Sequence, residues 1–403
     1  MNKYIVIGSS IAGLAGIEIL RRLDPESKII LVTVEKEIYS KCIMHFLAKG
    51  ERERKLLSFV AEDFFLKNKV DCIMGKRAER IDKQLKKVIL EDGESLDYDK
   101  LLLATGSHAF IPPIKGIKET KGVFAFHDLA DCDAVLENVE EAKNIVILGA
   151  GLVGIDAADG LCAKGKSITI VDMKDHMMSI QLDKEAAKLY EDGFAKLGVK
   201  QIYEVSANEA ISENGCIKEL VLSDGRKLKC DMLIVASGVR ANRELAETAN
   251  LEMTKFGLKI DEHCRTSDDS IYAAGDITGR NMIWPYAAKE AKVAASNMTG
   301  NERIMDNYFN TKSTISMLGI PTMSYGTPEA PDDSYTVEIK RSADGRYLKA
   351  IHKDGKLYGA ILQKDLHLSG VINQIVSYDM DLKQFEKPVL SLDYADLLVA
   401  TGM

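Results

Sequence analysis

Two stretches of the chain repeat one pattern of apolar and polar positions. The first opens with the apolar run Tyr4, Ile5, Val6, Ile7, breaks at Gly8, continues with helical period to Leu23, and returns as an apolar run from Lys28 to Glu35. The second opens with Ile145, Val146, Ile147, Leu148, breaks at Gly149, Gly151 and Gly154, runs helically towards Lys164, and returns from Ser167 to Asp172. Each reads as strand, glycine turn, helix and strand, with an acid closing the second strand. After each, the pattern shortens to alternating runs broken by Asp92-Gly93 and Asp224-Gly225, the signal of a hairpin. An apolar strand ending on small residues then follows, Leu101 to Gly106 and Met232 to Gly238.

Ser270 to Asp276 reads as one more strand with an acid after an Ala-Gly turn, and Trp284-Pro285 opens a helix running to Met298. Ile111-Pro112-Pro113 reads as a stiff linker. A new character begins near Tyr308, with hairpins at Asp344-Gly345 and Asp354-Gly355 and a helix over His367 to Tyr378. The predicted fold class is α/β: two tandem Rossmann-like dinucleotide-binding domains plus a small α+β C-terminal domain.

Length and charge narrow the partners. At 403 residues the chain exceeds what one core ordinarily serves. A formal charge of -8 and a pI near 5.6 give no electrostatic reason for nucleic acid or an anionic membrane as partner. No apolar run reaches membrane-spanning length without charge, which predicts a cytoplasmic protein. The cysteines, Cys42, Cys72, Cys132, Cys162, Cys216, Cys230 and Cys264, show no CxxC or Cys/His ligand spacing, so no metal site is expected.

The turns carry the chemistry. After a strand, Gly8 permits a tight turn, a small residue at Ser10 lets the backbone approach a pyrophosphate at the helix N-terminus, and Gly13 lets the helix lie close to the strand. Ser10 stands where the fingerprint has its middle glycine. Glu35 is placed to accept hydrogen bonds from ribose hydroxyls. The second turn has the full Gly149-x-Gly151-x-x-Gly154 fingerprint and ends on Asp172, which accepts from a 2′-hydroxyl and repels a 2′-phosphate. NADH is therefore favoured over NADPH, although Lys174 nearby can serve a phosphate. From its setting alone, Asp276 reads equally as a helix cap or as an acceptor for flavin ribityl hydroxyls.

Taken together, these pieces resemble the pyridine nucleotide-disulfide oxidoreductase superfamily, in the branch of NADH:rubredoxin reductases, nitrite reductase FAD domains, coenzyme A disulfide reductases, and NADH oxidases and peroxidases. The matching segments are Gly8 to Gly13, Glu35, Tyr39 to Cys42, Ala104 to Gly106, Gly149 to Gly154, Ala236 to Asn242, Ala273 to Asp276, and Trp284 to Gly300. The resemblance implies a discontinuous FAD-binding domain (1–113 and 243–307), an inserted NAD-binding domain (114–242) and a C-terminal interface domain (308–403). It implies FAD contacts from Gly8, Ser10, Ile11, Ala12, Gly13, Glu35, Lys41, Cys42, Ala78, Ala104, Thr105, Gly106, Asp276, Trp284 and Ala287. It implies NAD contacts from Gly149, Gly151, Leu152, Val153, Gly154, Asp156, Asp172, Ser237 and Gly238.

The chain departs from the family pattern at several points. Ile11 replaces the active-site His of the peroxidases, Leu152 the aromatic gate of the nicotinamide site, and Asp156 the usual Glu. Cys42 aligns with the single redox cysteine of the coenzyme A disulfide reductases and NADH oxidases, but His45 stands where a proline is usual. A lone cysteine also reads as a buried apolar side chain. His45 reads either as an acid-base group or as an ordinary satisfied histidine. The basic run Arg52, Arg54, Lys55 reads as a solvated helix face or as a docking patch for an acidic redox protein.

The function this implies is FAD-dependent transfer of electrons from NADH to a small iron-sulfur protein, rubredoxin- or ferredoxin-like, by a monomer or homodimer. The alternative is a two-electron thiol enzyme in which Cys42 attacks a disulfide, coenzyme A disulfide, polysulfide or oxygen-derived species. A third reading is a non-catalytic flavoprotein that signals redox state.

Overall fold

The computed structural model describes residues 1–118, 120–305 and 312–401. The expected domain start at Tyr308 and the two last residues lie outside them. The chain divides into two compact units, one made of Met1–Ile43, Arg52–Phe110 and Gly238–Asp306, the other of Met44–Glu51, Ile111–Ser237 and Asn307–Met403. The architecture is mixed α/β with parallel sheets.

In the first unit a five-stranded parallel sheet runs in the order Ile271–Ala273, Lys100–Leu103, Lys3–Ile7, Lys28–Thr33, Val70–Met74. Tyr4 to Ile7 are all buried, as a central parallel strand covered on both faces requires, and this explains the unbroken apolar run. The chain goes from Lys3–Ile7 to one neighbour, Lys28–Thr33, and only later to the other, Lys100–Leu103. The central strand is therefore the switch point of the sheet, where α/β proteins bind ligands.

The helix Ile11–Leu23 covers one face and packs on the helix Trp284–Met298. Its Leu14, Ile17 and Leu20 are fully buried, worth about 1.5–3 kcal/mol each. Its Gly16 is a requirement of the close packing, because a Cβ there would come within 2.5 Å of Leu102 Cδ2. A three-stranded antiparallel sheet (Ala78–Asp82, Lys87–Leu90, Ser95–Asp97) carries the expected hairpin at Asp92-Gly93. The short strands Ser107–Ala109 and Val239–Ala241 pair antiparallel.

The second unit repeats the plan. Its parallel sheet has the order Lys200–Ile202, Ser167–Val171, Asn144–Leu148, Met232–Val235, Val123–Ala125, with Asn144–Leu148 central. A three-stranded antiparallel sheet follows (Ala207–Glu213, Cys216–Leu222, Lys227–Lys229). The C-terminal part is a five-stranded antiparallel sheet in the order Lys312–Met317, Ile320–Gly326, Lys356–Gln363, Tyr347–Lys353, Thr336–Arg341. The helix Ser369–Ser377 buries Val371, Ile372, Ile375 and Val376 in the core on this sheet.

Polar contacts tie this antiparallel sheet to the helix Lys184–Lys196 of the same unit. Tyr190 donates through its hydroxyl to the Ile320 carbonyl (2.6 Å), and Gln363 Nε2 donates to the Ala186 carbonyl (2.9 Å). Asp183, the N-cap, accepts from Ala186 N–H, from the Tyr347 hydroxyl (2.6 Å) and from Lys349 Nζ (2.7 Å). Lys349 and Asp183 are both buried, whereas the paired Arg341 and Glu185 are exposed.

Removing one partner of a buried pair leaves an uncompensated charge. Lys349→Ala is expected to cost about 3 kcal/mol of the unit's stability. Arg341→Ala, which breaks an exposed pair, should cost under about 1 kcal/mol. Urea unfolding of both variants checks this, and equal losses would contradict it.

Candidate nucleotide-binding sites

Gly8 ends the central strand of the first unit with φ +110, a conformation that L side chains rarely adopt. Its N–H donates to the Val32 carbonyl (2.9 Å), and Ala104 N–H donates to the Ile7 carbonyl (2.8 Å). A Cβ on Gly8 would collide with the Ala104 carbonyl, and one on Gly13 with the Gly8 carbonyl. The turn and the first helical turn therefore lie against the strand ends with no room for a side chain. Ser10 is the N-cap of the helix Ile11–Leu23, makes no side-chain cap bond, and no acid stands in the first turn. The helix N-terminus thus keeps its positive end for an anion.

Thr105, Gly275 and Asp276 follow the ends of the neighbouring strands Lys100–Leu103 and Ile271–Ala273. Thr105 Oγ1 donates to the Asn242 carbonyl (3.0 Å), and Asn242 Nδ2 returns a bond to the Thr105 carbonyl (2.7 Å). A Cβ on Gly275 would stand 3.1 Å from Ala12 Cβ and 3.4 Å from Ala287 Cβ, so these three residues meet. Asp276 begins a 3-10 turn to Thr278, and its Oδ2 accepts from the Ser107 hydroxyl (2.6 Å). Glu35 accepts from the Tyr39 hydroxyl (3.1 Å). Trp284 opens its helix, its ring edge-to-face with Phe59. Lys41 lies in the 3-10 turn Lys41–Ile43 and Ala78 starts the strand Ala78–Asp82.

Glu290 went unnoticed in the sequence. Fully buried, it accepts the Gly275 N–H (2.8 Å) and lies 3.3 and 3.4 Å from the Thr278 hydroxyl. Its signal was a carboxylate on the alanine stripe Ala287, Ala291, Ala294. Burial pushes it up to about 7.

The second unit has the same turn. Gly149 adopts φ +112, its N–H bonds the Val171 carbonyl, and Ala236 N–H bonds the Leu148 carbonyl (both 2.8 Å). A Cβ on Gly149 would strike the Ala236 carbonyl and one on Gly154 the Gly149 carbonyl, whereas one on Gly151 would meet nothing within 4 Å. Gly151 is the N-cap of the helix Leu152–Cys162, whose first residues are Leu152 and Val153. Asp172 accepts from Ala150 N–H (2.5 Å) and Lys174 N–H (2.7 Å), which fixes its carboxylate beside the turn. Ser237 donates to the Leu148 carbonyl (3.3 Å). Gly238 falls in the first unit, where its carbonyl accepts from Phe110 N–H (2.9 Å).

Two residues singled out separately prove to be partners within the second unit. His45 Nδ1 lies 3.4 Å from Asp156 Oδ1, and one helical turn on Lys49 pairs with Asp159 (3.2 Å). The helix Met44–Lys49 can approach this closely because Gly160 faces Ala48: a Cβ on Gly160 would come within 2.9 Å of Ala48 Cβ. Burial, and then the Asp159 carboxylate, push Asp156 up to about 8. In the first unit Cys42 is exposed in the Lys41–Ile43 turn. Within the basic run, Arg54 pairs with Glu37 (2.7 Å) and Lys55 with Glu53 (2.8 Å). Among the described residues no cluster of His, Cys, Asp or Glu can hold a metal, and no helix is long and apolar enough to cross a membrane.

The class defined by these two glycine turns on parallel sheets is that of the dinucleotide-dependent oxidoreductases. The chain belongs to the pyridine nucleotide-disulphide oxidoreductase family, whose signature matches residues 2–291. The family is FAD-dependent and uses NADH, so the chain is an FAD-dependent NAD(P)H oxidoreductase. It is 31% identical to the NADH-dependent phenylglyoxylate dehydrogenase subunit epsilon of Aromatoleum evansii over 94% of this chain and 93% of that one. It is 30% identical to a rubredoxin-NAD(+) reductase of Alcanivorax borkumensis over 90% of this chain and 95% of the other. Among solved structures it is similar to an NAD-dependent persulfide reductase from A. fulgidus, with a TM-score of 0.85 at 26% identity, covering 99% of this chain and 82% of that one.

The glycine geometry separates folding from binding. Gly151→Ala is expected to leave the unfolding midpoint nearly unchanged but to weaken NADH about tenfold or more, as read by calorimetry. Unchanged affinity would sink the reading of Gly151 as a point of close ligand approach. Asp156 holds its proton in the folded state above the usual 3.8, so its contribution to stability is lost as pH rises towards about 8. Asp156→Asn should remove that part of the decline in urea midpoint across this range. A decline as steep in the variant as in the parent protein would refute the assignment.

Proposed function

We propose that the two glycine turns are an FAD site and an NAD site in tandem Rossmann-like domains, and that the enzyme passes electrons from NADH to a small iron-sulfur protein. In this reading residues 1–113 and 243–307 bind FAD, 114–242 bind NAD, and 308–403 form the C-terminal interface domain.

The residues of the first turn fit FAD. Backbone amides of Ser10 to Ala12, at a helix N-terminus without a competing acid, face the pyrophosphate, and Glu35 accepts from the adenosine ribose. Asp276, braced by Ser107 and set on the turn that meets Ala12, accepts from the ribityl hydroxyls. The helix from Trp284, with Ala287 in its first turn, directs its positive end at the flavin. When bound, FAD supplies the redox chemistry, accepting two electrons from NADH and releasing them singly.

On the second turn Asp172, already oriented by two backbone amides, accepts from the adenosine ribose and disfavours a 2′-phosphate. Leu152 and Val153 leave the helix start aliphatic. His45 stands beside Asp156 on the helix that follows the second turn.

The observation that carries the acceptor is the match, along nearly the whole of both chains, to a rubredoxin-NAD(+) reductase. A second reading is kept by the exposure of Cys42 and the likeness to a persulfide reductase, namely a thiol enzyme using Cys42.

Anaerobic titration with NADH, followed by flavin absorbance, distinguishes them. Complete reduction at about one NADH per FAD, unchanged in Cys42→Ser, is expected for the electron carrier. About two equivalents, with a thiolate-to-flavin band that Cys42→Ser abolishes, would replace it with the thiol enzyme.

A further inference from the structure

Behind the Asp276 turn stands a group that the proposed function does not use. Glu290 lies on the helix Trp284–Met298 with no exposed surface, and its one short hydrogen bond is from the Gly275 N–H. Gly275 immediately precedes Asp276, and the same turn closes through Thr278 N–H on the Gly275 carbonyl (2.9 Å). Glu290 therefore grips the turn from inside at its first residue, and through the Thr278 hydroxyl at its last.

A buried carboxylate with so few donors is poorly compensated when ionised. The Thr278 hydroxyl is distant, at 3.3 and 3.4 Å. The charged groups around it divide. From the turn, Asp276 favours the protonated form and Arg280 the ionised one, and the Arg280 guanidinium donates to the Ile260 carbonyl. The buried thiol of Cys264 faces it from the neighbouring segment, with Asp261 beyond. On its own helix Lys289 and Lys292 stand one and two residues away, positions that do not face it. The helix Ile11–Leu23 packs apolar residues on this side: its Glu18 and Arg22 are exposed, and Arg21 bonds the carbonyls of Pro25, Ser27 and Asn68. Lys100, on the strand Lys100–Leu103, bonds the Asp269 carbonyl. Burial is the largest influence, so Glu290 changes protonation near neutrality.

We propose that Glu290 is the proton-carrying positioning residue of the Asp276 turn, and that FAD binding there is accompanied by uptake of a proton from solvent onto its carboxylate. The proposal rests on the reading of Asp276 as part of the FAD site. Two physical effects give the sign. A bound dinucleotide displaces water from the turn and brings a doubly negative pyrophosphate to the adjoining helix start. Both disfavour an ionised Glu290, so binding draws its protonation equilibrium towards the acid. Neither the flavin nor the pyrophosphate diester of FAD titrates near neutrality, which leaves the protein as the source of the effect. Protonated Glu290 still accepts from Gly275 N–H on one oxygen while its O–H offers a donor to Thr278, so the turn stays held.

The test measures FAD binding to the apoprotein directly. Flavin fluorescence quenching gives Kd from about pH 6 to about pH 8.5 for the parent protein, Glu290→Gln and Asp276→Asn. The parent's Kd is expected to rise about threefold to tenfold across this range, and that of Glu290→Gln to change less than about twofold. Calorimetry of the parent protein near neutrality, in two buffers of different ionisation enthalpy, should show net proton uptake, and needs no variant to fold. A parent Kd independent of pH, a slope unchanged in Glu290→Gln, or absence of proton uptake would each overturn the proposal. If Asp276→Asn binds FAD as the parent does, the FAD-site reading itself falls. If it binds weakly while the Glu290 outcomes fail, only the proton-linked role falls.

Discussion

Gly13 lies so close over the carbonyl of Gly8 that no side chain fits between them, and Gly154 stands in the same relation to Gly149. These two backbone contacts set the rest of each parallel-sheet segment. Each draws the helix start down onto the end of the central strand, where the neighbouring strand closes through Ala104 or Ala236. A helix held further off would lose its packing on the sheet and would turn its N-terminal amides away from the strand ends. The packing of both helices, and the direction of their N-terminal amides, thus rest on the absence of the same few Cβ atoms.

Charge is managed differently in the two units. In the first, the acid that begins the 3-10 turn, Asp276, is held from one side by the Ser107 hydroxyl, while Glu290 holds the preceding amide from the interior. In the second, Asp156 and Asp159 both lie on the helix after the fingerprint, and the helix Met44–Lys49 brings a histidine and a lysine to meet them. Asp159 faces Lys49 and Asp156 faces His45.

Both parallel sheets and both glycine turns could be read from the residue pattern because their causes are local. A continuous apolar run marks a strand covered on both faces, and a glycine at a fixed offset marks a helix that touches it. The helix Trp284–Met298 keeps the bounds that its Trp-Pro start and alanine stripe predict. The acids Glu35, Asp172 and Asp276 could be picked out as well, since each closes or follows a strand. Glu290 carries only the weaker signal of a carboxylate on a helix's alanine stripe, and its partner at Gly275 is set by the fold.

By itself, then, the order of residues determined the elements, the places of the glycine turns and the family, all properties of short windows and their spacing. The tertiary structure decided which side chains meet. Ser107 reaches Asp276 across 169 positions and Lys49 reaches Asp159 across 110, distances at which no pattern along the chain reports contact. It also decided which carboxylates keep a proton, because desolvation depends on what the folded chain places around a group rather than on what precedes or follows it.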